Sequence, residues 1–149
     1  MIRLATHADT PLIVELLKKF LSETSYSQAQ EASENQEHLC KMTWTVQQYG
    51  YTWLGFVDDE PVGLLMAVKE PNAWFPKAIQ FRELVWYVLP EYRSCSIGGK
   101  LFINYCKKAE ELKKKGSIQG YFTTKMTTTD SIDLERRGFR LTESTYIKE

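Results

Sequence analysis

The chain has 149 residues, of which 43% are hydrophobic and 26% charged, the range of one globular domain with a real core. Its 19 Lys plus Arg balance 19 Asp plus Glu, so no overall field favours nucleic acid or an anionic membrane surface as partner. Three irregularly spaced cysteines exclude a disulfide framework or zinc site, no metal-ligand pattern stands out, and no apolar run nears the ~20 residues of a membrane span.

Residues 1–6 read as a short strand, with Ile2 and Leu4 on one face. They lack the basic-then-apolar plan of a signal peptide, and the few, irregular cysteines suggest a reducing, cytoplasmic setting. Asp9 or Thr10 can cap the next element and Pro11 suits its first turn. Leu12, Ile13, Leu16, Leu17, Phe20 and Leu21 then recur at helical spacing, which predicts a helix to about Ser22. Residues 23–33 are polar and read as a mobile loop. A second helix is expected over 34–49, with Leu39, Met42, Val46 and Tyr49 on its apolar stripe, stopping at Gly50. Strands follow over 52–57 and 62–68 around the turn Asp58-Asp59-Glu60-Pro61. Residues 70–77 form a loop that carries Trp74 and Phe75 between Pro71 and Pro76. A long strand is expected over 78–88, a helix over 97–115 ended by Gly116, and a strand over 117–124. A short helix over 128–137 and a last strand or hairpin over 138–146 complete the chain. The order β-α-α-β-β-β-α-β-α-β predicts an α/β domain over 1–149, with a mixed, mostly antiparallel sheet and helices on both faces.

The junction after the long strand is the most informative segment. The apolar run Leu84-Val85-Trp86-Tyr87-Val88 ends at Leu89-Pro90, and Arg93-Ser94-Cys95-Ser96-Ile97-Gly98-Gly99-Lys100 leads into an amphipathic pattern. Strand, short loop and helix aim free backbone N–H groups and a helix N-terminus at one point, the arrangement that binds phosphate. This segment resembles the acyl-CoA-binding signature of the GNAT superfamily of N-acetyltransferases: Arg or Gln, two residues, Gly, one residue, Gly. Arg93 and Gly98 match, Ser96 stands at the first glycine position, and Pro90, Ile97 and Leu101 fall at the family's offsets. The element order agrees with that family over nearly the whole chain.

The resemblance implies acetyl-CoA as cofactor, with coenzyme A as product. It implies that Arg93, Ser94, Cys95, Ser96, Ile97, Gly98 and Gly99 cradle the pyrophosphate, with Lys100 at the edge. The backbone of Trp86, Tyr87 and Val88 would pair with the pantetheine arm. A serine at position 96 is harmless at negative φ and strained by ~1 kcal/mol or more at positive φ. The alternative is a tight strand–helix turn with no ligand.

Acetyl transfer to an amine needs a base, a stabilised oxyanion and a fate for the departing thiolate. Glu83 is the acid on the strand beside the cofactor loop and is the candidate base; its alternative role is a solvent-facing partner of Arg82. Many family members place a tyrosine four residues before a Gly-Phe pair. Here that pair is Gly138-Phe139 and the position holds Leu134, while Thr127 replaces an asparagine of the pattern. Tyr121 and Tyr146 are the substitutes, unless solvent protonates a thiolate whose acid has a pKa near ~8.5. Cys95 lies at a helix start, but no histidine motif supports covalent catalysis. The acceptor, a small-molecule or peptide amine, would meet walls carrying Tyr26, Trp44, Tyr49, Tyr51, Trp74, Phe75 and Tyr146, with Glu31, Glu34 and Glu37 nearby. Three readings stand: an N-acetyltransferase, a GNAT-fold acyl-CoA-binding or interaction module that has lost catalysis, and another nucleotide-binding α/β module. The last lacks GxxxxGK[ST] and GxGxxG. A homodimer is compatible with the sequence, and nothing in it calls for one.

Overall fold

A computed structural model describes residues 1–24, 27–125 and 132–148. The elements in chain order are β1 (Ile2–Leu4), α1 (Thr10–Ser22), α2 (Ser27–Glu34), α3 (Gln36–Tyr49), β2 (Gly50–Val57), β3 (Glu60–Pro71), β4 (Ile79–Val88), α4 (Ile97–Lys114) and β5 (Gly120–Phe122). Single 3-10 turns lie at His7–Asp9, Pro90–Tyr92 and Glu135–Arg137. The five strands form one sheet in the order β1-β2-β3-β4-β5. Its first three pairings are antiparallel and β4/β5 is parallel, as the α4 crossover requires. Asp58 and Asp59, at φ 48° and 63°, make the two-residue turn that matches strand twist between β2 and β3.

Side-chain alternation divides the core between two faces. Trp53, Phe81 and Trp86 meet Tyr105 and Phe102 of α4 on one face, whereas Tyr87 meets Phe20 of α1 on the other. A mixed, mostly antiparallel sheet with helices on both faces is therefore present. The bidentate pair from Arg3 to Asp9, at 2.7 and 2.8 Å, ties β1 to the start of α1.

Three expectations change. The segment read as a loop holds α2, which buries only Ala29 and so carries no apolar period to announce it. Of the last helix only the Glu135–Arg137 turn is seen, closed by Gly138 at φ 85°; positions 128–131 lie outside the described residues. The last strand is absent. Residues 138–148 have no regular structure, with Leu141, Tyr146 and Ile147 exposed. Strand-forming composition produces a strand only where a ladder partner is present. Among the described residues no helix is long and apolar enough to cross a membrane.

Candidate active site

The β4–α4 junction is a bundle of backbone donors. Pro90–Tyr92 makes one tight turn, Cys95 N–H bonds back to Tyr92 O at 3.1 Å, and α4 begins at Ile97. The first N–H of α4 with a helical acceptor is Lys100, at 2.9 Å from Ser96 O. The N–H groups of Ile97, Gly98 and Gly99 have no acceptor among the described residues, as expected of a helix start. Ser96 adopts φ −74°, so serine replaces glycine there without strain.

Side chains brace this loop from β4. Arg93 Nε donates to Val88 O at 2.9 Å, and the rest of its guanidinium pairs with Glu23 at the end of α1. Tyr87 donates its hydroxyl to the same carboxylate. Burial and the Glu23 partner hold the Tyr87 phenol well above its ordinary pKa. Trp86 Nε1 donates to Gly98 O at 3.2 Å while its indole stacks on Phe102. Cys95 is exposed, its thiol donating to Tyr92 O.

A second feature lies upstream on β4. Parallel pairing with β5 covers only Gln80 to Arg82 against Gly120 to Phe122. On its other edge β4 pairs Val85 with Met66 and Glu83 with Ala67, which leaves Leu84 as a bulged extra residue. A bulge bends its strand, and the two strands part where it lies. Tyr105 sits at the parting, its hydroxyl 2.6 Å from Phe122 O and 3.2 Å from Phe81 O. Glu83 comes next, 5% exposed, on the α4 face of the sheet. Its Oε2 accepts from Thr123 Oγ1 at 3.0 Å and Thr124 N–H at 2.9 Å, whereas Oε1 has no partner among the described residues. Burial raises its pKa above the usual carboxylate range, against the lowering effect of those two hydrogen bonds. Arg82 does not pair with Glu83; it points to the opposite face and pairs with Glu70.

The family model of the acetyltransferase (GNAT) family matches residues 13–139. The chain belongs to that GNAT family. No curated protein matches the chain. Among solved structures, a possible acetyltransferase from Clostridium difficile 630 is similar at TM-score 0.68 and 21% identity, covering 100% of this chain and 96% of that one. A predicted acetyltransferase with acetyl-CoA from Clostridium acetobutylicum reaches TM-score 0.71 at 12% identity, covering 100% and 95%. An aminoglycoside acetyltransferase from an uncultured soil metagenomic sample, in complex with sisomicin, gives TM-score 0.64 at 16% identity, covering 100% and 93%. At these identities the likeness is one of GNAT fold.

The junction fits a phosphate-bearing GNAT cofactor on its own geometry. Neither Gly98 nor Gly99 has positive φ. A Cβ at Gly98 would meet Val88 Cγ2 at an ordinary 3.5 Å, and one at Gly99 would meet nothing within 4 Å. Folding and packing thus give no reason for glycine at positions that cost about 1 kcal/mol each relative to alanine in a helix. Close approach of a ligand to the backbone does.

The other candidates scatter. Tyr121 donates its hydroxyl to Glu110 at 2.8 Å on α4, about 18 Å along the helix from Gly98 at 1.5 Å per residue. Burial and Glu110 raise its phenol pKa. Tyr146 is 92% exposed and meets no part of the gap. Of the aromatic wall, Trp44 stacks on His7 and Tyr51 packs against Trp53 and Phe81, while Tyr49, Trp74 and Phe75 are exposed. Tyr26 and Thr127 lie outside the described residues. Glu23, Tyr105, Thr123 and Thr124 escaped sequence reasoning, since each acts through a contact distant in the chain and none belongs to a local motif.

Proposed function

We propose that residues 1–149 form an acetyl-CoA-dependent N-acetyltransferase domain that acetylates a primary amine by direct attack in a ternary complex, releasing coenzyme A. The observation that carries this reading is the cluster of unpartnered N–H groups at Ile97, Gly98 and Gly99, at glycines whose absent side chains serve no internal contact. These groups would hold the pyrophosphate, within a cradle completed by Ser94, Cys95 and Ser96 and with Lys100 at its edge. Arg93 positions the loop against Val88, and the edge of β4 around Trp86, Tyr87 and Val88, which lies beyond the described pairing with β5, offers amide partners to the pantetheine arm. When bound, acetyl-CoA supplies the activated acyl thioester.

Glu83 is the base in this reading. Its Oε2 is fixed by β5, and its free Oε1 takes the proton of the acceptor amine, directly or through one water. A carboxylate with a raised pKa is a better proton acceptor near neutral pH than an ordinary one. No tyrosine with a free hydroxyl meets Glu83 among the described residues, so the departing thiolate takes its proton from solvent, unless Tyr121 or Tyr146 moves. The aminoglycoside acetyltransferase among the structural relatives supports a small-molecule amine as acceptor.

That missing acid favours a second reading, a GNAT-fold acyl-CoA-binding module without turnover. Free-thiol release from acetyl-CoA over a panel of primary amines separates the two. Release with any amine supports the enzyme; tight binding of coenzyme A with no release from any amine supports the module.

A further inference from the structure

The mouth of the β4–β5 gap carries a basic side chain whose terminal nitrogens neither the fold nor the proposed chemistry uses. Arg82 is the last β4 residue paired to β5, directly before Glu83 and opposite Phe122. α1 and α3 pack on β2 and β3, which leaves Arg82 and Phe122 half-buried on the open part of that face. Two contacts hold the arm, and a third fixes its carboxylate partner. Arg82 Nε donates to Glu70 Oε1 at 2.6 Å, Gln80 Nε2 reaches the same oxygen at 2.8 Å, and the guanidinium lies 5.2 Å over the Phe122 ring. Asn72 Nδ2 steadies Gln80 in turn, at 3.3 Å. Despite burial, these hydrogen bonds leave the Glu70 pKa below its ordinary value, so Arg82 faces an ionised partner.

The two terminal nitrogens of Arg82, Nη1 and Nη2, have no hydrogen-bond partner among the described residues. A guanidinium fixed along its Nε edge and stacked on a ring presents those nitrogens as a fork of fixed orientation, the geometry that matches a carboxylate. Consecutive strand residues point to opposite faces, so Arg82 and Glu83 flank the same gap, one above the sheet and one below. The geometry points to Arg82 as the acceptor-binding arm: the amine that reaches Glu83 carries a carboxylate that docks on the Arg82 fork. This rests on the reading of Glu83 as the base of an N-acetyltransferase, and it narrows the acceptor to amines bearing a carboxylate at a set distance.

The test is thiol release with the series glycine to 6-aminohexanoate, each against the straight-chain amine of equal carbon number. Wild type is expected to favour the amino acid in kcat/KM by about tenfold or more at one or two adjacent chain lengths. Arg82→Gln should collapse that ratio toward one, and Arg82→Lys, which keeps the charge and loses the fork, should lower it partway. Coenzyme A affinity checks that each variant is folded. Thiol release without a carboxylate preference, or a preference that survives Arg82→Gln, overturns the Arg82 inference and leaves the acetyltransferase reading standing. Absence of release with every amine, with coenzyme A bound, overturns both.

Discussion

The two halves of the site are built from different materials. The proposed cofactor half, from Val88 to Lys100, offers main-chain donors whose positions follow from a strand, a tight turn and a helix start. The proposed transfer half, at the β4–β5 gap, consists of side chains that meet only because the sheet folds: Glu83 with Thr123 and Thr124, and Tyr105 with Phe81 and Phe122. A backbone site depends on main-chain conformation, and Ser96 at φ −74° adopts its conformation without need of glycine. A side-chain site depends on residue identity, and the residues that meet here lie between 17 and 41 positions apart in the chain.

The sharpest break between the halves should come from Glu83→Gln. The amide keeps an oxygen for Thr124 N–H but cannot take a proton. Amine-dependent thiol release is expected to fall by ~10²–10³ while coenzyme A affinity by calorimetry stays within about twofold. Equal loss of both would make Glu83 a structural clamp. The wild-type pH profile sharpens the same point. The ionised carboxylate is the active form and its pKa is raised, so kcat/KM should fall as pH drops through a value above the usual carboxylate range, and Glu83→Gln should lose that limb.

Gly99→Val tests the other half with the reverse signature. Nothing lies within 4 Å of a Cβ there, and glycine is the poorer helix former. The melting temperature should hold or rise while coenzyme A binds about tenfold or more weakly, a methyl-bearing side chain intruding where the phosphate approaches. Lower stability with unchanged affinity would assign the glycine to folding. A smaller effect is expected at the tyrosines. Tyr121→Phe and Tyr146→Phe should each leave kcat within about threefold, since one hydroxyl is committed to Glu110 and the other lies in solvent. A tenfold drop at Tyr146 would mean that the C-terminal segment closes over the gap during turnover. Least of all, Ser96→Gly should change coenzyme A affinity by less than about twofold, because the backbone there has no need of glycine.

This contrast also explains what was legible beforehand. Periodicity announced α1, α3 and α4, and turn residues announced β2 and β3, because each buries a regular stripe. It missed α2, which buries Ala29 alone, and it expected a final strand where the chain has composition but no neighbour to pair with. The candidate cofactor loop can be proposed from sequence because Arg93, Gly98 and their spacing are local. Glu83 is a candidate by its place on β4, but its partners Thr123 and Thr124 carry no sequence signal. The alternative role for Glu83, a solvent-facing pair with Arg82, does not occur: strand alternation sends the two to opposite faces and Arg82 pairs with Glu70. Glu23, which braces both Arg93 and Tyr87 from the end of α1, has no sequence signal at all.

The central claim is that the start of α4 holds the cofactor pyrophosphate. A crystal structure of the protein with coenzyme A tests it most directly. The expected result is pyrophosphate oxygens within hydrogen-bond distance of the N–H groups of Ile97, Gly98 and Gly99, with the thiol end running along β4 toward Glu83. A pyrophosphate bound anywhere else on the molecule would contradict it.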